Sequence, residues 1–183
     1  PDKLRAFFHD SSFGILRQKY GKVALSFGEP IFLAEHLDQV APAWRAHSPA
    51  SDERPEWFAN AASTLADRIQ VNINRAANVN PINLLALVML SAPRHALGES
   101  DLVSALGLCQ QLLTRVPYSD RVTVTPLTPA QIIAYGEHME AIARIRHPLG
   151  DVLASEGDRA VLLSYFRNNV VHLFATAAWV ACC

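Results

Sequence analysis

The sequence predicts an α+β fold that is mainly helical, with one or a few edge strands followed by a helical body. Three observations carry this: an alternating run over residues 22–27, apolar residues at helical spacing in several later stretches, and prolines and asparagines that punctuate them.

Over 22–27, Val23, Leu25 and Phe27 fall on one side and Ala24 and Ser26 on the other, the period-two signature of a strand, and Pro30 ends it. Arg17, Lys19 and Lys22 lie just ahead, where they either face phosphate groups or solvate a loop; the solvated loop is the preferred reading. Residues 40–55 hold Pro42, Pro49 and Pro55 with Ser48, Ser51 and Asp52, the composition of a surface connection. Pro55 and Glu56 then open a helix on which Phe58, Leu65, Ile69 and Ile73 recur near helical spacing, with Asp67, Arg68 and Arg75 left to solvent. Asn78, Asn80 and Pro81 break it. The nearly all-apolar stretch 82–92 reads as a helix buried on most sides.

Leu102, Leu106, Cys109 and Leu113, spaced i, i+4, i+7 and i+11, predict an amphipathic helix over 99–116 that Pro117 stops. Residues 122–125 suit a short strand. Thr128, Pro129 and Gln131 form a capping-box start, with threonine as N-cap and proline at the first helical position. This helix is expected to run through Ile132, Met139 and Ile142 toward His147, where Pro148 and Gly150 interrupt. Asp158 is expected to cap a last helix carrying Leu162, Tyr165, Phe166, Leu173 and Trp179. No internal repeat or low-complexity tract is visible.

The 183 residues, half of them hydrophobic, suffice for one compact domain or a large part of one. A formal net charge of -1 argues against nucleic acid as a partner, since phosphate-backbone binding needs an excess of Lys and Arg. Cys109, Cys182 and Cys183 are an odd number, and an adjacent pair closes a disulfide only with strain, so a reducing compartment is expected. The chain opens on Pro1 with Asp2, Lys3 and Arg5 and no apolar leader, which reads as a cut inside a longer protein without a signal peptide. The longest apolar runs, 84–92 and 170–183, fall short of the roughly 18–20 residues a spanning helix needs.

No Gly-rich phosphate loop, Cys-x-x-Cys pair or His-Glu-x-x-His is present, so nucleotide, structural-zinc and zinc-protease chemistry lack support, and neither a metal nor a cofactor is expected. His47 and Asp52 match a His-x4-Asp spacing in which the carboxylate orients an imidazole general base. Their setting in the proline- and serine-rich connection, with Pro49 between them, makes ordinary surface residues the better reading. A second group is Tyr165, Arg167, Asn168, Asn169 and His172, inside an otherwise apolar stretch. Helical spacing places Tyr165, Asn168 and His172 on one face. Buried polar side chains need hydrogen-bond partners, so this row implies either a structural network, the preferred reading, or a substrate-binding site of Arg167, Asn168 and His172 in which Arg167 pairs with a phosphate or with an acid in another part of the protein.

Two stretches point further: YGKVALSFGEPIFL, residues 20–33, and YFRNNVVH, residues 165–172. With NRAANVNPINL, 74–84, and RVPYSD, 115–120, between them in collinear order, the chain resembles the region of the bacterial glycerol-3-phosphate acyltransferases that lies beyond their catalytic blocks. Phe166 stands where members of that family often carry a second tyrosine. The resemblance implies a parent enzyme that moves an acyl group from acyl-CoA or acyl-carrier protein to the sn-1 hydroxyl of glycerol 3-phosphate in phospholipid synthesis. It implies that an upstream His-x4-Asp pair is the base, so this fragment holds no catalytic residue and His47 with Asp52 lies on the wrong side of FGEPI. Residues 1–40 would be the C-terminal edge of the acyltransferase α/β domain, 41–55 a connection, and 56–183 a truncated helical C-terminal region. Acyl donor and glycerol 3-phosphate would meet the missing upstream domain, while the helices help seat the protein, peripherally or monotopically, on the cytoplasmic face of the inner membrane. The competing class is a free-standing helical interaction module without chemistry.

Overall fold

The computed structural model describes residues 24–46, 54–155 and 157–183. Its centre is the apolar helix α3, Pro81–Ser91, numbered after α1, Leu33–Val40, and α2, Trp57–Arg75. Every turn of α3 is apolar, and Leu84, Leu85, Ala86 and Met89 are wholly buried. Three neighbours cover it: α4, Glu99–Arg115; α5, Pro129–His138; and α6, Asp158–Asn168. Leu102, Leu106 and Leu113 of α4, Ile132 and Ile133 of α5, and Leu163 of α6 complete one continuous core with α3. Burial of that area from water is the main stabilising term. Gly136 lets α5 approach α3 closely, because a Cβ there would overlap Leu85 Cδ2.

Two small sheets border the helices. Asn78–Val79 (β1) pairs in parallel with Thr123–Val124 (β3). Ala96–Gly98 (β2) and Ala143–Ile145 (β4) flank Val152–Ala154 (β5), all antiparallel, in the order β2-β5-β4. The chain closes with a 3-10 turn, Val171–Phe174, and the short helix α7, Ala175–Ala181.

The expected starts at Pro55 and Thr128 hold: α2 begins two residues after Pro55, and Thr128 accepts from Gln131 N–H while Gln131 Oε1 accepts from Thr128 N–H at 2.9 Å. Several expectations need correction. Residues 24–27 form no strand; Leu25 and Phe27 are 78% and 86% exposed, with no neighbouring strand among the described residues to pair with. Lys22 and Val23, the start of that run, lie outside the described residues, as do Arg17, Lys19, His47 and Asp52. The helix from Thr128 stops at His138 rather than approaching His147, because Glu140 takes a left-handed φ of 57° that no helix continues, and the chain turns into β4. Asp158 is the first residue of α6 rather than its cap, which is Gly157.

The last helix also breaks. Asn168 ends α6, Asn169 and Val170 intervene, and the 3-10 turn follows, so Tyr165, Asn168 and His172 do not share one helical face. Nor is the polar row buried: Tyr165 is 67% exposed, Asn168 and Asn169 are exposed, and Arg167 is half-buried. The side chains buried at this level are Leu163, Val170 and Leu173, and the polar residues sit around them.

α1 and α2 pair with each other. His36 of α1 is buried, its Nε2 lies 3.0 Å from Ala61 O of α2, and Thr64 Oγ1 stands 3.3 Å away. On α2 itself Ala61 is the buried residue, while Phe58, Ile69, Val71 and Ile73 remain exposed. The apolar periodicity of α2 therefore makes a stripe that the described residues leave uncovered.

Candidate functional site

The four stretches that carry the family resemblance, far apart in sequence, meet at one end of the bundle. His172 reaches the C-terminal turn of α2: its Nε2 lies 3.2 Å from Asn74 O. A carbonyl only accepts, so this nitrogen carries the proton and donates. The imidazole edge also packs on Tyr118, with centroids 5.4 Å apart and rings 88° to one another. Nine residues after Asn74, Asn83 is 2% exposed; its Nδ2 donates to Phe166 O at 2.7 Å and its Oδ1 accepts from Asn80 N–H at 2.9 Å. Arg121, one residue past RVPYSD, donates through Nη2 to Phe27 O at 3.2 Å, which ties the FGEPI stretch to the same end.

Why the chain folds this way is local. α2 ends at Arg75, capped by Ala76, and the chain passes into β1, whose pairing with β3 holds the loop after Pro117 against the end of α2. Thr123 N–H donates to Ala77 O at 3.1 Å and Thr125 N–H to Val79 O at 2.9 Å, so the ladder fixes Tyr118 to Arg121 beside Asn72 and Arg75.

Between these segments lies a cavity of about 380 Å³ bordered by Glu29, Asn72, Arg75, Tyr118, Asp120 and Arg121. Among the described residues, neither guanidinium has a carboxylate within ion-pair distance. On the other side of Tyr118 runs a groove of about 360 Å³ lined by Leu112, Val116, Leu173, Phe174 and Ala177. Tyr118 borders both. Arg75, Tyr118 and Arg121 were not singled out as site residues by sequence reasoning, although RVPYSD marked the segment.

The three residues expected to bind substrate part company here. His172 stands in the gathering, but as a donor to backbone and a face for Tyr118. Arg167 turns instead to its neighbour, with Nη2 3.1 Å and Nε 3.3 Å from Asn168 Oδ1. Both lie on the exposed side of α6.

A second polar centre was invisible in sequence. The Arg144 guanidinium on β4 donates to Glu99 at 2.6 and 3.0 Å, to Glu137 at 2.8 and 3.3 Å, and to Asp151 at 3.1 Å. It thereby joins the start of α4, the end of α5 and the turn before β5. The Arg144 hydrogen bonds hold the Glu99 carboxyl below its usual range, and the three carboxylates push the guanidinium up. This is a brace around one saturated cation rather than a reactive centre. Burial pushes the Cys109 thiol up, which disfavours a thiolate nucleophile. No group of three or more His, Cys, Asp or Glu able to hold a metal occurs among the described residues.

The family described as the glycerol-3-phosphate acyltransferase C-terminal region matches residues 8–183. The chain is 57% identical over 169 residues to a glycerol-3-phosphate acyltransferase of Xanthomonas campestris, 56% over 169 to one of Xylella fastidiosa, and 40% over 168 to one of Ectopseudomonas mendocina. Each alignment covers 92% of this chain but only 19–20% of the relative, so the chain spans about a fifth of the length of the proteins it matches.

Proposed function

Because this chain belongs to the glycerol-3-phosphate acyltransferase family and corresponds to its C-terminal region, we propose that it is the non-catalytic support of an enzyme that acylates the sn-1 hydroxyl of glycerol 3-phosphate. The acyl donor is acyl-CoA or acyl-carrier protein, bound with glycerol 3-phosphate by an upstream domain of the parent. The observation that carries the reading is the convergence of the four segments through His172, Asn83 and Arg121. Their side chains are used to join segments.

The same region seats the parent on the cytoplasmic face of the inner membrane as a peripheral or monotopic protein. Support comes from apolar side chains left outside the core: Ile69, Val71 and Ile73 on α2, and Trp179 and Val180 on α7. Among the described residues no helix is long and apolar enough to cross a membrane. The test is acyl transfer to glycerol 3-phosphate by the full-length parent and by the 183-residue chain alone. Turnover is expected from the first and none from the second; turnover by the chain alone overturns the support role.

A further inference from the structure

The geometry points to a binding site for a single-chain anionic amphiphile, its phosphate in the Arg75–Arg121 cavity and its alkyl chain in the Leu112–Leu173 groove, with Tyr118 as the shared wall. The two spaces, about 380 and 360 Å³, are each of ligand-pocket size, roughly 300–1,000 Å³. Their chemistry differs sharply. One carries two guanidiniums; the other is lined by leucine, valine, phenylalanine and alanine.

The guanidiniums have donors to spare. Arg121 uses one N–H on Phe27 O, and Arg75 has no hydrogen-bond or ion-pair partner among the described residues, while each guanidinium offers about five N–H donors in a planar fork suited to phosphate oxygens. Glu29 and Asp120 also border the cavity, so its formal charge sums to zero. Free phosphate is therefore held by directional hydrogen bonds without net attraction, and binds weakly. The neighbouring groove supplies what the cavity lacks, because each methylene taken out of water is worth about a fourfold gain in affinity. Phe174 and Leu173 on one side and Leu112 and Val116 on the other present that apolar surface, and Tyr118, apolar in its ring and polar at its tip, suits the junction.

This goes beyond the support role, and it is tested without acyl transfer. Titration calorimetry on the 183-residue chain, with its helical circular dichroism checked first, would compare dodecyl phosphate below its micelle concentration, inorganic phosphate, glycerol 3-phosphate and neutral dodecyl maltoside. Dodecyl phosphate is expected to bind at least 30-fold more tightly than the other three. Arg75→Gln with Arg121→Gln should weaken dodecyl phosphate tenfold or more; Thr176 also lines the groove, and Thr176→Trp, which crowds it, should weaken dodecyl phosphate without changing inorganic phosphate. If the double variant fails to fold, Arg75→Gln alone decides, since Arg75 is exposed and holds nothing else, with a threefold or greater loss expected. Equal affinity for inorganic phosphate means a free-anion site, and equal affinity for dodecyl maltoside means an apolar groove only; either overturns the proposal, as does indifference to the arginine changes. Loss of acyl transfer in the parent with dodecyl phosphate binding intact would count against the proposed function alone.

Discussion

His172 Nε2 donates to Asn74 O across 3.2 Å, joining two residues 98 positions apart, while its ring packs edge-on against Tyr118. The contact fastens the C-terminal turn of α2 to the chain's last segment. His172→Ala removes both the hydrogen bond, roughly 0.5–1.5 kcal/mol, and the ring contact, of similar size, so a loss of about 1–3 kcal/mol is expected in urea unfolding. His172→Phe keeps a ring against Tyr118 and should recover about half of that loss. Equal losses for the two would show that the ring contact carries nothing.

Asn83 is the more deeply committed amide. Replacing it with leucine keeps the volume but removes the hydrogen bonds that Asn83 makes to Phe166 O and from Asn80 N–H at the half-buried edge of the core. Each unsatisfied buried group costs about 1–3 kcal/mol. Asn83→Leu should therefore lower the melting temperature by about 4 °C or more, given roughly 2–4 °C per kcal/mol at this chain length. An unchanged melting temperature would mean water reaches both groups.

Arg144 sets the acid limb of stability. The Glu99 carboxyl is held below its ordinary value, so the folded form favours the charged state. A depressed folded value gives stability that is present above the unfolded value, about pH 4.3, and is lost as pH falls through the folded one. The chain is expected to weaken on acidification below about that pH. In Arg144→Met the Glu99 carboxyl loses the hydrogen bonds that hold it low, so the variant should be less stable at pH 7 and lose less between pH 5 and pH 3. Parallel stability curves for wild type and variant would refute this account.

Much of the helical frame was legible because it rests on local signals. The all-apolar run of α3 can only be buried, the Leu102–Leu113 spacing marks α4, and Thr128 with Gln131 fixes a helix start through bonds three residues apart. The three-stranded sheet was not legible. Its strands are three residues long, and β2 pairs with β5 at Leu97 and Leu153, a closure that no periodicity records. The shared helical face did not hold, for a related reason. Helical spacing put Tyr165, Asn168 and His172 on one face, but the break after Asn168 swings His172 toward Asn74, beside Tyr118, and Tyr118 and Arg121 come from a loop whose position depends on the pairing of β1 with β3.

That break bears directly on Arg167. In an unbroken buried helix, removing the guanidinium would strand a partner; here Arg167 is half-buried and bonds to Asn168, its exposed neighbour. Hydrogen bonds between adjacent residues on a solvated face contribute little, so Arg167→Ala and Asn168→Ala should each change stability by less than about 0.5 kcal/mol. Their roles in the parent then separate cleanly from folding. If the exposed side of α6 meets glycerol 3-phosphate or the acyl donor in the assembled enzyme, Arg167→Ala raises the KM for that ligand while the melting temperature stays put. If it meets nothing, both kinetics and stability stay at wild-type values, and the substrate-binding role of Arg167 and Asn168 falls. A melting temperature lowered by several degrees would instead mean that the guanidinium packs against the upstream domain, and the comparison of full-length parent with the 183-residue chain locates that contact, because only the parent would show the loss.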